Sequence, residues 1–325
     1  MIKLFTHTDL DGIGCAIIAY LAYGKDNVDV EFCNYDDIDS KVMTFCTSKC
    51  ETELAMDYDR VYITDISVRK ETAMCITNKF SAAESLRWKL LDHHATAMYL
   101  NEFDWCTVEP NNPLNHDFKN SGTWMLYLEL YGECLDRQYD HIGNVRQFAD
   151  LVRIYDTWMW KDRGSYGIVA KTINDLMYIY GREKFIDWAM ENICSMKEFP
   201  TFTETDQLIL DLERDKIERY IEKKDKEMIL RADSWGHIYG VVFAEQYVSE
   251  LGNRLCELHH EVDYVAIVNA GAGAISYRTI RDDLDLGQEI AHSYGGGGHQ
   301  KAAGSTFRKT VAFDKFLDYA MMRFM

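Results

Sequence analysis

The sequence predicts an α/β protein built from two domains. Short apolar runs alternate with helical segments through the first half of the chain, and this alternation is typical of a mainly parallel sheet. Predicted strands occupy residues 2–6, 28–33, 60–66 and 88–92, and predicted helices occupy 12–23, 38–50, 68–80, 122–131 and 143–156. A chain of 325 residues is too long for a single ordinary hydrophobic core. Its 47% of hydrophobic residues is enough to build the cores of two domains.

A charged helical stretch follows at residues 204–231, where a narrow apolar stripe runs among acidic and basic side chains. This pattern is typical of a solvated helix that connects two domains. Beyond it, strands are predicted at 238–244, 262–269 and 274–279, and helices at 248–259, 286–294 and 311–325. The second half therefore predicts a smaller α/β domain.

The charge balance excludes one class of partner. Lys and Arg number 35 and Asp and Glu number 53, so the formal net charge is −18. A protein that binds long duplex nucleic acid needs a broad basic surface to neutralise many phosphates. The acidic composition argues against that mode of binding. A short phosphorylated ligand remains compatible, because divalent cations bound to clustered carboxylates create a locally positive site.

The chain lacks the signals of a membrane or secreted protein. No stretch approaches the roughly 18 uninterrupted apolar residues of a membrane span, and the N-terminal residues lack a signal-peptide design. Nine cysteines are scattered without a CxxC pair, which predicts reduced, mostly buried thiols. We therefore expect a cytoplasmic protein without membrane contact, whose metal, if it has one, is not held by sulfur.

Asp92, His93 and His94 stand where the predicted strand 88–92 ends. Imidazole nitrogen and carboxylate oxygen together are the ligands that manganese, zinc or iron prefers. The carboxyl ends of strands in open α/β sheets are also where ligands collect. This strand end therefore predicts a metal site.

Further candidate ligands stand at other strand and helix ends. His7, Asp9 and Asp11 lie between the first predicted strand and helix, in a turn whose side chains can converge. Asp11 alone could be a helix N-cap, and Asp65 alone could be a turn former. Asp156 closes a predicted helix, where its charge opposes the helix dipole and so indicates another partner.

Five ordered motifs carry a resemblance to a known family. They are HTDLDG at 7–12, TD at 64–65, LLDHH at 90–94, YDTW at 155–158 and GGGGHQKAAG at 295–304. Together they resemble the DHH phosphoesterase family with its DHH-associated C-terminal domain, and among its subgroups the NrnB-type oligoribonucleases, or nanoRNases. The resemblance implies a mainly parallel five-stranded sheet flanked by helices in a catalytic domain at 1–200. It also implies a helical linker at 201–234 and a smaller substrate-binding α/β domain with a mixed sheet at 235–325.

The resemblance implies a two-metal centre. Two divalent cations, manganese in the first place and magnesium or cobalt as alternatives, would be held by two ligand sets that share Asp65. The first set is His7, Asp9 and Asp65, and the second is Asp11, Asp65, His93 and Asp156. Asp92 would orient an imidazole through its other ring nitrogen, and His94 would contact the scissile phosphate.

The resemblance also implies substrate contacts in the C-terminal domain. The glycine run alone could be a flexible loop, but with the residues that follow it resembles a phosphate-binding turn. The candidates are Gly297, Gly298, His299 and Lys301, together with Arg278, Asn253 and Arg254. Arg278 could equally be a surface arginine on an exposed strand. Trp158 and Trp160 could stack on bases, but packing beside the metal ligand is favoured for both.

The implied activity is metal-dependent hydrolysis of short single-stranded RNA to mononucleotides, the substrate being held between the domains. The acidic chain favours oligomers of about two to five nucleotides over long polymers, which need a basic and aromatic track. Linear or cyclic dinucleotides and 3′-phosphoadenosine 5′-phosphate are alternative substrates. A catalytically silent nucleotide sensor is an alternative of another class, and a homodimer stays open. A pyrophosphatase is disfavoured by the C-terminal glycine motif.

Overall fold

The computed structural model describes residues 1–48, 57–80 and 87–307. The chain divides into two compact units, Met1–Leu210 and Asp211–Met325. Among the helices described, none combines the length and apolar character needed to cross a membrane. The predicted helix 311–325 and the predicted helical residues 49 and 50 lie outside the described residues.

The first unit contains a five-stranded sheet in which every neighbouring pair is parallel. Its strands are β1 (Ile2–Thr6), β2 (Val28–Phe32), β3 (Arg60–Thr64), β4 (Trp88–Asp92) and β5 (Cys106–Val108), in the spatial order β2-β1-β3-β4-β5. The interior strand β1 is buried along its whole length, because helices cover both faces of the sheet. The predicted α/β class with a five-stranded parallel sheet is confirmed.

Eight helices of the described residues belong wholly to this unit. They are α1 (Leu10–Tyr23), α2 (Ile38–Ser48), α3 (Lys70–Lys79), α4 (Gly122–Glu129), α5 (Tyr131–Arg137), α6 (Ile142–Asp156), α7 (Gly164–Tyr180) and α8 (Arg182–Ile193). One core joins Leu4 and its face of the sheet to α1 and α4–α8. The other joins Phe5 and the opposite face to α2 and α3. Both cores fix β1 between two hydrophobic layers.

The second unit contains a six-stranded sheet, and the predicted mixed character of that sheet is confirmed. Its strands are β8 (Ile229–Ala232), β9 (Ile238–Phe243), β10 (Tyr264–Asn269), β11 (Ala274–Arg278), β12 (Gly297–His299) and β13 (Ala302–Thr306), in the order β12-β13-β11-β10-β9-β8. Strands β9 and β10 pair in parallel, and the other neighbours are antiparallel. Helix α10 (Val248–Leu258) packs on one face, and a π-helical segment (Leu286–Ala291) packs on the other.

The structure differs from the sequence-based boundaries in several places. The predicted charged helix 204–231 is α9 (Glu204–Glu227), and its last predicted residues form β8 instead. Ile229 pairs with Val241 there, so sheet pairing overrides the helical pattern. The predicted helix 122–131 is two helices, α4 and α5, and α7 and α8 were not predicted. An exposed hairpin of β6 (Asn111–Asn112) and β7 (Asn115–Lys119) was not predicted either. The proposed domain limits at 200 and 234 remain predictions.

His259 stabilises the second unit in a pH-dependent way. Its Nε2 lies 2.5 Å from Asp225 Oδ1 and its Nδ1 lies 2.9 Å from Glu261 Oε1, and these hydrogen bonds raise the pKa of His259. A raised folded-state pKa gives stability that is fully present below the unfolded pKa of about 6.5 and is lost as pH rises through the folded pKa.

We therefore expect His259→Gln to lower the free energy of unfolding by up to about 1 kcal/mol at about pH 6, since the pair is partly exposed. The difference should shrink by about pH 9. Urea unfolding at both pH values measures it, with His260→Asn on the neighbouring exposed histidine as the control. An equal effect of His259→Gln at both pH values would contradict the ionic origin.

Candidate active site

The candidate residues of the first unit meet at the carboxyl edge of its sheet. Strands β1, β3 and β4 are adjacent, with Thr6 opposite Thr64 and Thr64 opposite Leu91. Parallel strands in this register end at the same edge of the sheet, so the residues that follow them emerge side by side. His7, Asp65 and Asp92 occupy that edge as predicted from the strand ends.

His7 and Asp9 form one side of the cluster. His7 Nδ1 lies 3.0 Å from Asp9 Oδ2 and 3.9 Å from Asp65 Oδ2. Asp9, rather than Asp11, is the N-cap of α1, because its Oδ1 accepts a hydrogen bond from the Gly12 backbone amide at 3.1 Å. A Cβ at Gly12 would lie 2.2 Å from the His7 carbonyl oxygen. Glycine is therefore required at position 12 for α1 to begin this close to the backbone of His7.

Asp11 is buried against the start of another helix. Its carboxylate accepts hydrogen bonds from the backbone amides of Gly122 at 2.6 Å and Thr123 at 2.9 Å. These amides open α4, where the helix dipole favours a negative charge. Ser121 caps the same helix by accepting from the Trp124 amide. The backbone of α4 thus holds the carboxyl group of Asp11 in place.

His93 stands among three carboxylates. Its Nε2 lies 3.2 Å from Asp65 Oδ1, 3.6 Å from Asp11 Oδ2 and 3.5 Å from Asp156 Oδ2. Asp156 is the last residue of α6, as predicted. Burial lowers the pKa of His93, which favours the neutral imidazole that a metal ion requires.

Among the described residues, three overlapping groups of side chains have the spacing of metal ligands, and within each group the ligand atoms lie within 4.8 Å of one another. The first is His7, Asp9 and Asp65, the second is Asp11, His93 and Asp156, and the third is Asp65, Asp92, His93 and His94. Asp65 Oδ1 contacts the second group through His93, while its Oδ2 faces the first. The structure therefore brings together all six residues that the sequence suggested as metal ligands.

Asp65 carries the strongest sign that a cation belongs in the cluster. It is 1% exposed, its backbone has the left-handed φ of 57°, and its Oδ2 has no hydrogen-bond partner within the described ranges. Burial raises the pKa of Asp65 well above its usual value, and the charges of Asp11 and Asp9 raise it further. A buried carboxylate oxygen without a partner is costly. A divalent cation would compensate that cost, so the donor set fits a metal centre.

The DHH residues divide between two tasks. Asp92 is buried, and its Oδ1 lies 2.7 Å from His94 Nδ1 while it also accepts from the His93 amide at 2.8 Å. Its Oδ2 accepts from Ser67 Oγ at 2.5 Å. The hydrogen bond that His94 Nδ1 donates to the Asp92 carboxylate raises the pKa of His94. The imidazole that Asp92 orients is thus that of His94, and its Nε2 is left for a ligand.

Ser67 was not predicted. A serine two residues after a strand-end aspartate has no distinctive spacing, and its partner lies 25 positions further along the chain. Adjacent parallel strands bring the two together, since Ser67 follows β3 and Asp92 ends β4. The signal is therefore topological and could not be found in the sequence alone.

The two tryptophans near Asp156 differ in their surroundings. Trp160 stacks on Tyr155 with ring centroids 6.1 Å apart and an interplanar angle of 19°, which agrees with the packing favoured for it. Trp158 is 64% exposed, so the packing expected for it is wrong. Its backbone is left-handed, with a φ of 61°, at the second residue after the end of α6.

Arg278 and His299 share one face of the sheet in the second unit. Arg278 pairs with Ala302 and His299 pairs with Ala302, so the three side chains lie on the same side as α10. Arg278 Nη2 donates to Ser249 Oγ at 3.0 Å. The guanidinium is therefore anchored on the α10 face in line with the exposed His299.

The glycine run is a strand and turn rather than a flexible loop. Gly297 and Gly298 belong to β12, and a Cβ at Gly298 would lie 2.5 Å from Ala303 Cα. Lys301 lies in the following turn, with its Nζ 2.5 Å from Asp282 Oδ1. On α10, Arg254 pairs with Glu257 at 3.1 Å and Asn253 is exposed. Lys301 and Arg254 thus have carboxylate partners, which weakens them as phosphate contacts relative to His299.

Comparison with known proteins agrees with this architecture. No family model matches the chain. Oligoribonuclease NrnB of Bacillus subtilis (strain 168) is 36% identical over 312 residues, which cover 96% of this chain and 74% of NrnB. The chain belongs to the DHH phosphoesterase family. Within it, the chain is a phosphoric diester hydrolase similar to the NrnB oligoribonuclease.

Solved structures have the same fold at low sequence identity. Exonuclease RecJ bound to manganese gives a TM-score of 0.56 at 14% identity and covers 100% of this chain and 90% of RecJ. The DHH domain of a member of a ribosomal protein family gives 0.57 at 14%, over 99% and 86% of the two chains. The pGpG-specific phosphodiesterase PggH from Vibrio cholerae gives 0.52 at 13%, over 99% and 98%.

The approach of α4 to Asp65 generates a prediction. A Cβ at Gly122 would lie 2.5 Å from Asp65 Cβ and 2.9 Å from Asp65 Cα. We expect Gly122→Ala to displace Asp65 and to weaken manganese binding by about ten-fold or more, as changes around metal ligands do. Calorimetric titration with Mn²⁺ measures this.

The matched control is Gly132→Ala, also in a helix of the first unit, where an added Cβ meets no atom of the structure within 4 Å. It should bind Mn²⁺ like the unmodified protein. Unchanged Mn²⁺ affinity in a folded Gly122→Ala variant would show that Asp65 need not keep this position.

Proposed function

We propose that this protein is a two-metal phosphodiesterase that hydrolyses short RNA oligonucleotides to mononucleotides. The observation that carries the proposal is the meeting of two ligand groups around the buried, unpartnered carboxylate of Asp65. Similarity to an oligoribonuclease over 96% of the chain supports the substrate class. The formal charge of −18 favours short substrates over long polyanions.

The donor set matches two divalent cations, with manganese preferred. His7, Asp9 and Asp65 would hold one cation, and Asp11, Asp65, His93 and Asp156 would hold the other. Nitrogen and carboxylate oxygen without thiolate suit manganese, and magnesium or cobalt are alternatives. When bound, the cations supply a water of lowered pKa and positive charge for the phosphoryl oxygens.

The remaining residues bind and orient the substrate. His94 is proposed to donate a hydrogen bond from Nε2 to a phosphoryl oxygen, because Asp92 occupies Nδ1. Asp92 fixes the ring of His94, and Ser67 in turn fixes the second carboxylate oxygen of Asp92. Because both carboxylate oxygens of Asp92 are held in place, the ring of His94 that Asp92 orients would lose little conformational entropy when the substrate binds.

In the second unit, Arg278 and His299 are the proposed phosphate contacts. Their common face gives an anionic group two donors on β11 and β12, the strands on either side of β13, and a planar guanidinium can bind phosphate through two nitrogens. The backbone of Gly297 and Gly298, Lys301, Asn253 and Arg254 are proposed as weaker contributors, since Lys301 and Arg254 are already paired.

A ladder of labelled RNA tests the substrate class. The manganese-loaded protein is incubated with single-stranded RNAs from two nucleotides upward, with pGpG, a cyclic dinucleotide and 3′-phosphoadenosine 5′-phosphate in parallel. We expect mononucleotides to appear fastest from oligomers of about two to five residues. Inertness toward all of these RNAs, with hydrolysis of another compound, would replace the proposed substrate, and tight binding without any turnover would favour a nucleotide sensor.

The two histidines of the DHH motif should separate metal binding from turnover. His93→Ala should lose both manganese and activity, because its Nε2 lies among three carboxylates. His94→Ala should keep most of the metal and still lose turnover by about 10²-fold or more, because it removes a transition-state contact. Metal analysis after gel filtration, together with single-turnover rates, measures the split. Equal metal loss in both variants would contradict the division of roles.

A further inference from the structure

Tyr35 exposes a large ring beside the imidazoles of His7 and His94. It follows β2 and is 61% exposed. Its ring centroid lies 5.0 Å from that of His7 and 6.3 Å from that of His94, with an edge-to-face angle of 90° to His94. Within the described residues, the hydroxyl group of Tyr35 forms no hydrogen bond. The ring is therefore held at the cluster with much of its surface open to a ligand.

Trp158 exposes a second large ring two residues after the candidate ligand Asp156. Its backbone is left-handed, with a φ of 61°, at the position after a helix that glycine usually occupies. A residue with a Cβ has an unfavourable conformational energy there, which burial of its side chain can offset. The indole is 64% exposed, so packing does not offset this cost. An exposed tryptophan in a strained turn at a catalytic edge indicates a role in binding.

Lys161 adds a positive charge beside this indole. Its Nζ lies 5.0 Å from the Trp158 ring centroid, and the side chain is exposed. In the described part of the chain, it forms no ion pair within 4.0 Å. Aromatic rings with adjacent cations are the combination with which proteins bind single-stranded nucleic acid, because the ring stacks on a base and the cation binds phosphate.

The two rings approach the cluster from different residues. Tyr35 lies beside His7, which belongs to the first ligand group, with ring centroids 5.0 Å apart. Trp158 follows two residues after Asp156, which belongs to the second ligand group and whose Oδ2 lies 3.5 Å from His93 Nε2. One ring is thus adjacent to the first ligand group, and the other is carried by the segment that supplies a residue of the second.

We propose that Tyr35 and Trp158 are stacking surfaces for the two nucleobases that flank the scissile phosphate, with Lys161 beside the second base as a contact for a further phosphate. This inference rests on the proposed function and specifies its substrate recognition. Stacking engages the face of any base, so it selects unpaired nucleotides without selecting sequence. Two stacking surfaces also match a dinucleotide as the smallest complete substrate.

The test compares an RNA dinucleotide with two analogues, each lacking the base at one position. Tyr35→Ala and Trp158→Ala should each raise KM for the intact dinucleotide about ten-fold, because stacking of one base is worth about that factor or more. The value of kcat should stay within about two-fold, since the rings do not touch the reacting atoms. Tyr35→Phe and Trp158→Phe should restore KM, because phenylalanine keeps a stacking face.

The abasic analogues assign each ring to a position. On the analogue that lacks the base stacked by a given ring, the alanine variant of that ring should have the same KM as the unmodified protein. Tyr139→Ala and Trp235→Ala are the matched controls, since both rings are exposed and neither belongs to the cluster. Both controls should leave KM unchanged.

The outcome distinguishes this inference from the proposed function. Hydrolysis of RNA with an unchanged KM in both alanine variants, or an equal rise of KM for the abasic analogues, would overturn the stacking role and leave the function intact. If the dinucleotide is not hydrolysed at all, binding of a phosphonate-linked dinucleotide to the manganese-loaded protein decides. A Kd that does not rise in Tyr35→Ala and Trp158→Ala, or absence of binding to the unmodified protein, would then refute the inference.

Discussion

The convergence of carboxylates on Asp65 is the constraint on which the site depends. Four aspartates and two histidines place their ligand atoms within a few ångströms at one edge of the sheet. Like charges at this distance repel, and burial adds the cost of lost hydration, so both Asp65 and Asp156 have a raised pKa. The remaining structure must either neutralise these charges or hold them against their repulsion.

Helix N-termini provide part of that neutralisation. Asp9 caps α1 and Asp11 accepts the first amides of α4, so two of the carboxylates already have backbone donors. Asp65 Oδ2 has no such donor among the residues described. Glycine is needed at the start of both helices, because a Cβ at Gly12 or Gly122 would overlap the backbone or side chain of a site residue. The carboxylate oxygen of Asp65 that lacks a donor is therefore the observation that most favours a bound cation at this cluster.

The sequence predicts the fold class and the residues that meet at the candidate site, but it does not predict every element of the fold. Strand ends, chemical character and motif order were enough to select His7, Asp65 and His93, because parallel strands bring their carboxyl ends together whatever lies between them. Ser67 and Tyr35 contact site residues that are distant in sequence, so no local sequence pattern predicts their place at the site. Strand β5 has only three residues, and β8 continues a charged helical pattern until sheet pairing ends it. These elements depend on tertiary contacts that periodicity does not record.

The negative charge of the chain and the requirement for an anionic substrate are compatible for a specific reason. Bound cations and His94 act over a few ångströms, where low dielectric makes their attraction for one phosphate strong. The surplus of acidic residues acts over a Debye length of about 8 Å at physiological salt. If the proposed function holds, one or two phosphates at the centre would be affected mainly by the local positive charge, whereas a longer strand would add phosphates to a protein whose formal net charge is −18. That repulsion would weaken binding as the polymer grows, while the proposed stacking is sequence-tolerant. The proposed function therefore implies selection of RNA by length rather than by sequence.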